Sequence, residues 1–288
     1  MASNMTSRVA VAVVAIPVVL GVIWLGGWPL TVLVGLMAVL GVRELFDLAE
    51  KVGLAPLRGA GLSAAALMPA VVYLIMTAPS YADWLVAGWV QLAAVGVILL
   101  LMQAIHARPV TAKPLSAVAV TLFGVAYAAA LPTFLVGIRH GGWPERSWSG
   151  AVLVFFPLVI TWITDTAAMF GGKAIGGAKL APTISPGKTR AGGIAGVLGG
   201  GVVGVTFALM VFPRVGIDLD LLPAVVIALV LATVGQMGDL AESLLKREAG
   251  VKDSSALIPG HGGVLDRLDS LYFVLPIAAA CYRLVGLA

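Results

Sequence analysis

Apolar runs of about 20 residues recur along the whole length of this chain, and they constrain its fold more than any other feature. A helix needs roughly 20 residues to cross the ~30 Å hydrocarbon core of a bilayer. Nine such segments can be read, at about 9–26, 28–42, 61–78, 84–105, 115–136, 150–170, 191–212, 221–241 and 270–287. Alternation with period two is weak, so helices are expected rather than a barrel. Composition agrees, because only 11% of residues are charged against about 25% in a soluble domain. The expectation is one all-α polytopic membrane domain over residues 1–288, with no separate soluble module. The single cysteine, Cys281, falls within an expected span, which excludes an intrachain disulfide. The N-terminal apolar run is long for a signal peptide and no clear small-residue cleavage site follows it, so a retained first helix is expected.

Lysine and arginine placement gives an orientation. With the N-terminus in the cytoplasm, the inner side receives Arg8, Arg43, Lys51, Arg58, Arg108, Lys113, Lys173, Lys179, Lys188, Arg190, Lys246, Arg247, Lys252 and Arg267. Only Arg139, Arg146, Arg214 and Arg283 fall outside, 14 against 4 of the 18 bases. Trp24, Trp28, Tyr81, Trp84, Trp143 and Trp148 lie near the outer boundaries, as an interfacial belt would. The expected location is the cell inner membrane, multi-pass. Segments 171–190 and 246–269 are separated by two spans, so they share the cytoplasmic side and can form one site.

Against this apolar background, residues 243–269 stand out. The run holds Glu248, Asp253, Asp266 and Asp269, the bases Lys246, Arg247, Lys252 and Arg267, and His261; Asp239 and Glu242 precede it. Ionised groups near a membrane are costly and tend to be functional. Asp239, Ser243, Lys246 and Arg247 recur at helical spacing, so one face presents an acid, a hydroxyl and two bases. Asp266 and Asp269 stand at i and i+3 and can converge. With Asp239 they make a hard oxygen set suited to Mg²⁺. Helix capping would account for one of these acids but not for three. His261 lacks a second histidine or cysteine nearby, which makes a poor zinc site; it is read as a phosphate hydrogen-bond donor or a shaper of its glycine-rich turn.

A second polar segment follows Asp165. Gly187-Lys188-Thr189 invites comparison with a phosphate loop, but Pro182 occupies the first glycine position of that pattern. Lys173, Lys179, Lys188 and Arg190 still make a basic, glycine-rich stretch able to hold phosphates. Gly199, Gly201 and Gly204 match a dinucleotide fingerprint only formally, since no strand precedes them. Gly192, Gly196, Gly200 and Gly204 recur every four residues, which predicts a smooth ridge for close helix packing.

The run from Ser243 through Lys246-Arg247, Lys252-Asp253, Ser255, Ile258-Pro259, His261-Gly-Gly-Val264 and Asp266-Arg267-Leu268-Asp269 resembles the signature of the CDP-diacylglycerol synthase (phosphatidate cytidylyltransferase) family. Gly238-Asp239-Leu240 with Glu242, Asp165, and Ser185-Pro-Gly-Lys-Thr189 are supporting matches. One departure is visible: many members carry an aromatic residue and then an acid or amide after the Lys-Thr pair, where this chain has Arg190 and Ala191. The resemblance implies Mg²⁺-dependent transfer of a cytidylyl group from CTP to phosphatidate, with one or two metal ions and a homodimeric membrane enzyme. It makes Asp239 and Asp266 metal ligands with Asp269 close by. Asp239, Lys246, Asp266 and Asp269 become the catalytic set. Asp165, Ser185, Lys188, Thr189, Ser243, Arg247, Lys252, His261 and Arg267 become substrate contacts. No nucleic-acid polymer is expected as a partner.

Such a reaction needs no general base, because the nucleophile is already a phosphate oxygen. The obstacle is bringing two polyanions together, which cations must offset. Two rival readings stand beside this one, the first of a different class and the second closer. An ion-coupled transporter would place its acids at the midplane of broken helices, whereas these acids cluster at one face. A relative using another lipid phosphate or alcohol would share the nucleotide-side motif.

Overall fold

The computed structural model describes residues 13, 17–78, 83, 86–258, 260 and 262–287. The chain is a bundle of helices, with one two-stranded hairpin at one end. After a helical stretch over 17–25 come α1 (Gly27–Lys51), α2 (Arg58–Thr77), α3 (Trp89–Ala107), α4 (Pro114–His140) and α5 (Trp148–Ile175). The hairpin strands β1 (Lys179–Ala181) and β2 (Ser185–Thr189) lead into α6 (Arg190–Val215) and α7 (Leu221–Glu248). A one-turn α8 (Leu265–Leu268) and α9 (Leu271–Leu284) close the chain.

Among the described residues, six helices (α2 to α7) are long and apolar enough to cross a membrane. The protein is therefore a multi-pass membrane protein. Of the nine expected segments, 9–26 is described only at residue 13 and over 17–26, where it is helical to residue 25, and 270–287 holds a helix of 14 residues. Arg8, Tyr81 and Trp84, used for orientation, also lie outside the described residues. Several helices outrun their apolar segments: α1 continues to Lys51, α5 to Ile175 and α7 to Glu248. Glu, Lys, Arg and Leu are good helix formers, so the backbone has no reason to stop where the hydrocarbon does.

Prolines explain two irregular turns. Pro132 has no N–H to give Ala128, and α4 widens to π-helical winding over Val125–Ala130 just before it. In α6 the same winding over Phe207–Val211 precedes Pro213. Phe156, Phe207 and Phe212 pack there with ring centroids 5.0–5.6 Å apart in the main core.

The glycine ridge of α6 packs as the four-residue repeat predicts. A Cβ on Gly192 would stand 2.6 Å from the Ala168 carbonyl oxygen of α5, and one on Gly196 would stand 3.0 Å from that of Thr164. One on Gly200 would meet Ala232 Cβ of α7 at 2.6 Å, and one on Gly204 would meet Ala228 Cβ at 2.8 Å. The ridge thus holds α6 against both α5 and α7, and this trio carries the hairpin at one end.

The two ends of the bundle differ in chemistry. At the hairpin end, Arg58 of α2 pairs with Asp47 and Glu50 of α1, and Arg108 donates to the carbonyls of Ala55 and Pro56. At the far end stands Arg139, one of the four bases expected outside, and it is fully buried. Its guanidinium donates to the carbonyls of Ile23 (2.8 Å), Trp24 (2.8 Å) and Pro144 (3.1 Å). Arginine offers five donors, and the carbonyls of a helix end need them.

Candidate active site

Three long helices converge at the hairpin end, and a pocket of about 440 Å³ opens between them. Asp165 and Lys173 of α5, Lys179 of β1, Lys188 and Thr189 of β2, Gly192 and Gly193 of α6, and Gln236 and Asp239 of α7 line it. The sequence reading expected a basic loop here. The structure instead folds Lys179–Thr189 into an antiparallel hairpin, with Lys179 opposite Thr189 and Ala181 opposite Ser185. Gly176 and Gly177 reverse the chain after α5 with φ of +67° and +90°, a conformation that favours glycine. Thr189 then caps α6, its Oγ1 accepting from Gly192 N at 3.1 Å. Lys188, one residue earlier in an extended strand, is thereby held over the pocket.

Asp239 is the hub of the α7 wall. Its Oδ2 lies 2.6 Å from Lys188 Nζ, and its Oδ1 accepts from Ser243 Oγ at 3.3 Å. One turn further along α7, Lys246 is buried between two acids. Its ammonium donates to Glu242 Oε1 at 3.0 Å and to Asp266 Oδ1 at 2.6 Å. Asp266 Oδ2 accepts from Ser254 Oγ (2.7 Å), Ser254 N (2.8 Å) and Gly263 N (2.8 Å). Burial alone would raise the Asp266 carboxyl, but Lys246 and these donors hold it below the usual carboxylate range.

Asp269 has the opposite environment. Burial first, then the charge of Asp239, pushes its carboxyl up to about 6, against the N–H of Ser270 that its Oδ1 accepts at 2.6 Å. Asp165 lines the same pocket as Asp239. Asp165, Asp239 and Asp269 thus make one field of carboxyl groups at this end of the bundle. Such a field suits a divalent cation in donor chemistry, since all are hard carboxylate oxygens. As they stand, no three acids, histidines or cysteines among the described residues are grouped tightly enough to hold an ion by themselves. Asp266 already has four donors, so it would reach an ion only by releasing one of them.

The remaining expected contacts are spread around this centre. Arg247 ties the α7 end to both segments, donating to Ile184 O (3.2 Å) and Val251 O (2.8 Å). Ser185 is half-buried in β2, while Lys252 and Arg267 are exposed. His261 lies outside the described residues. Two residues went unread in the sequence. Gln236 lines the pocket and donates to Gly193 O at 3.2 Å, joining α7 to α6; its place three residues before Asp239 on one helix face was the available signal. Glu44 of α1 reaches the 254–265 loop from more than 200 residues away, and no local pattern announces that.

Residues 6–285 match the Cytidylyltransferase family, so the chain belongs to that family. It is an enzyme of this type, built as a helical membrane protein. Among its relatives is the phosphatidate cytidylyltransferase of Staphylococcus aureus, 32% identical over 276 residues, which cover 95% of this chain and 97% of the relative. That of Staphylococcus haemolyticus is 31% identical over 273 residues, with the same coverage. That of Synechocystis sp. is 32% identical over 295 residues and 94% of both chains.

Proposed function

We propose that this enzyme transfers a cytidylyl group from CTP to phosphatidate, giving CDP-diacylglycerol and pyrophosphate. The observation that carries this reading is the pocket itself: Lys173, Lys179 and Lys188 face Asp165 and Asp239 at one end of a membrane-spanning trio. A nucleoside triphosphate needs such bases for its phosphates, and a lipid phosphate needs a site its tails can reach from the bilayer. The names of the relatives support the same substrates.

In this reading Lys173, Lys179 and Lys188 hold the triphosphate. The first turn of α6, where Gly192 and Gly193 line the pocket, presents the positive end of a long helix to it. Lys246 and Arg247 steady the loop that carries Asp266 and Asp269, and Ser243 orients Asp239. Asp239 and Asp269, with Asp165 nearby, would hold Mg²⁺, and Asp266 would join them on releasing a donor. Such an ion would supply charge neutralisation at the phosphates. Exposed Lys252 and Arg267, with His261, meet substrate phosphates from the loop side. No general base is assigned, because a lipid phosphate oxygen is already anionic.

The nine-span topology, the inner membrane, a cytoplasmic N-terminus and site, and a homodimer complete the proposal. They rest on the base asymmetry and on the resemblance. The test of the substrate is a competition assay. Purified enzyme is given CTP labelled at the α-phosphate, with phosphatidate or another lipid phosphate or alcohol. Label entering lipid with phosphatidate supports the reading. Label only with a different acceptor overturns the substrate and keeps the chemistry.

A further inference from the structure

Glu44 lies on α1 and is 3% exposed. Its carboxylate is met by four donors, all from one segment. Oε1 accepts from Ser255 Oγ (2.7 Å) and Val264 N (3.0 Å). Oε2 accepts from Ser254 Oγ (3.0 Å) and Leu265 N (2.8 Å). Buried carboxylate oxygens require such donors, since each one left unmet is costly. The donors fall at the two ends of the loop that carries Pro259-Gly-His-Gly-Gly263. One carboxylate therefore closes that loop at both its entry and its exit.

Val264 is the N-cap of α8 and Leu265 its first residue, and the N–H groups at the start of so short a helix have no partner within it. Glu44 caps them from α1, 221 residues away in sequence. Asp266 and Arg267 lie on α8 and Asp269 follows directly, so the cap fixes where these groups start. Asp266 completes the closure from the other side through Ser254 and Gly263. The Ser254 hydroxyl lies between the two carboxylates and donates its single hydrogen to one at a time. Space is tight enough that a Cβ on Gly263 would collide with Ser254 Oγ and both Glu44 oxygens.

We infer that Glu44 is a positioning residue for the reaction: it anchors the Ser254–Leu265 loop and α8, and thereby sets Asp266 and Asp269 against the substrate pocket. The inference rests on the proposed cytidylyl transfer for its catalytic half and on geometry alone for its anchoring half. It touches no substrate itself. The pocket wall that bears Lys173, Lys179 and Lys188 belongs to α5 and the hairpin, so losing the anchor leaves nucleotide binding in place and displaces the acids.

The test combines steady-state kinetics with hydrogen exchange on full-length enzyme in detergent. Glu44→Gln keeps the side chain's size but offers one acceptor oxygen and turns an amide NH₂ toward N–H groups. The expected result is a fall in kcat of roughly 10- to 100-fold, as for a displacement near 1 Å. KM for CTP stays within about threefold, and exchange accelerates at Val264 and Leu265 but not in α5 to α7. Wild-type kcat and exchange would overturn the inference. So would a fall in kcat with an unaltered loop, or exchange accelerated throughout the bundle, which would mark a general packing role. If Glu44→Gln fails to accumulate, Ser255→Ala removes one of the four bonds and is read in the same way with a smaller change. Wild-type enzyme without cytidylyl transfer would count against the proposed reaction, while the exchange at Val264 and Leu265 would still decide whether Glu44 is the anchor.

Discussion

Lys188 Nζ and Asp239 Oδ2 lie 2.6 Å apart and join the hairpin to α7 across the pocket. The pair is part-exposed, so its worth to stability is small. Its worth to catalysis is larger, because Lys188 lines the pocket and pairs directly with Asp239 there. Lys188→Met is expected to lower kcat/KM for CTP by about 10²–10³-fold, the usual cost of one preorganised charge contact. Thermal unfolding should be nearly unchanged. Kinetics and a melting curve on the same preparation check both halves.

Lys246 contrasts with Lys188, because it is buried between Glu242 and Asp266. Removing it leaves Glu242 without a partner and Asp266 with its loop donors alone, and breaking such a buried pair costs about 3–5 kcal/mol. Lys246→Met is therefore expected to melt well below wild type. Asp266→Asn is expected to lose turnover and some stability together, since it withdraws the charge that Lys246 and the loop N–H groups meet. Glu242→Gln should be the mildest of the three, because Glu242 Oε2 has no hydrogen-bond partner as it stands. Equal melting temperatures across the set would contradict this ranking.

In the proposed reading Mg²⁺ should stabilise the protein even without substrate, since it would bind the carboxyl groups of Asp239 and Asp269 only in the folded state. At a concentration 100 times its Kd, an ion that binds only the folded state adds about 2.7 kcal/mol. A rise in Tm on adding Mg²⁺, reversed by chelator, is expected for wild type. In Asp269→Asn the rise should shrink. An identical rise in that variant would remove Asp269 from the cation site.

Gly200 faces Ala232 Cβ and Thr164 Oγ1 at distances a side chain would occupy. Gly200→Val is expected to push α6 off α5 and α7 and to destabilise by about 1–3 kcal/mol. Activity should fall with it, because Gly192 and Gly193 of the same helix line the pocket. Gly187→Ala, where a Cβ meets nothing within 4 Å, is the matched control for stability.

What was legible in the sequence was periodic or locally clustered. The apolar runs gave the helical membrane class, and the four-residue glycine repeat gave the α6 ridge. The spacing of Asp239, Ser243 and Lys246 placed them on one helix, where they do lie. Illegible features were those decided by distant partners. The hairpin at Lys179–Thr189 has no alternating pattern, and its short strands are held by Arg190 and Arg247 contacts to Ala178 and Ile184. Arg139 counts in the sequence only as an outer-side base, because nothing local shows that the carbonyls of Ile23 and Trp24 come to meet it. Glu44 sits among Arg43, Asp47, Glu50 and Lys51, where a charged helix exit is the ordinary reading. Only folding reveals that Glu44 is buried while Asp47 and Glu50 bind Arg58.

The most direct measurement compares wild type with Asp239→Asn, each purified, shown to be folded by its melting curve, and supplied with phosphatidate, Mg²⁺ and CTP labelled at the α-phosphate. Label should enter the lipid phase with wild type, with pyrophosphate released in equal amount, and should drop by at least about 10²-fold with Asp239→Asn. Equal labelling by both proteins would contradict a reaction centred on Asp239, and no labelling by folded wild type would contradict cytidylyl transfer to phosphatidate itself.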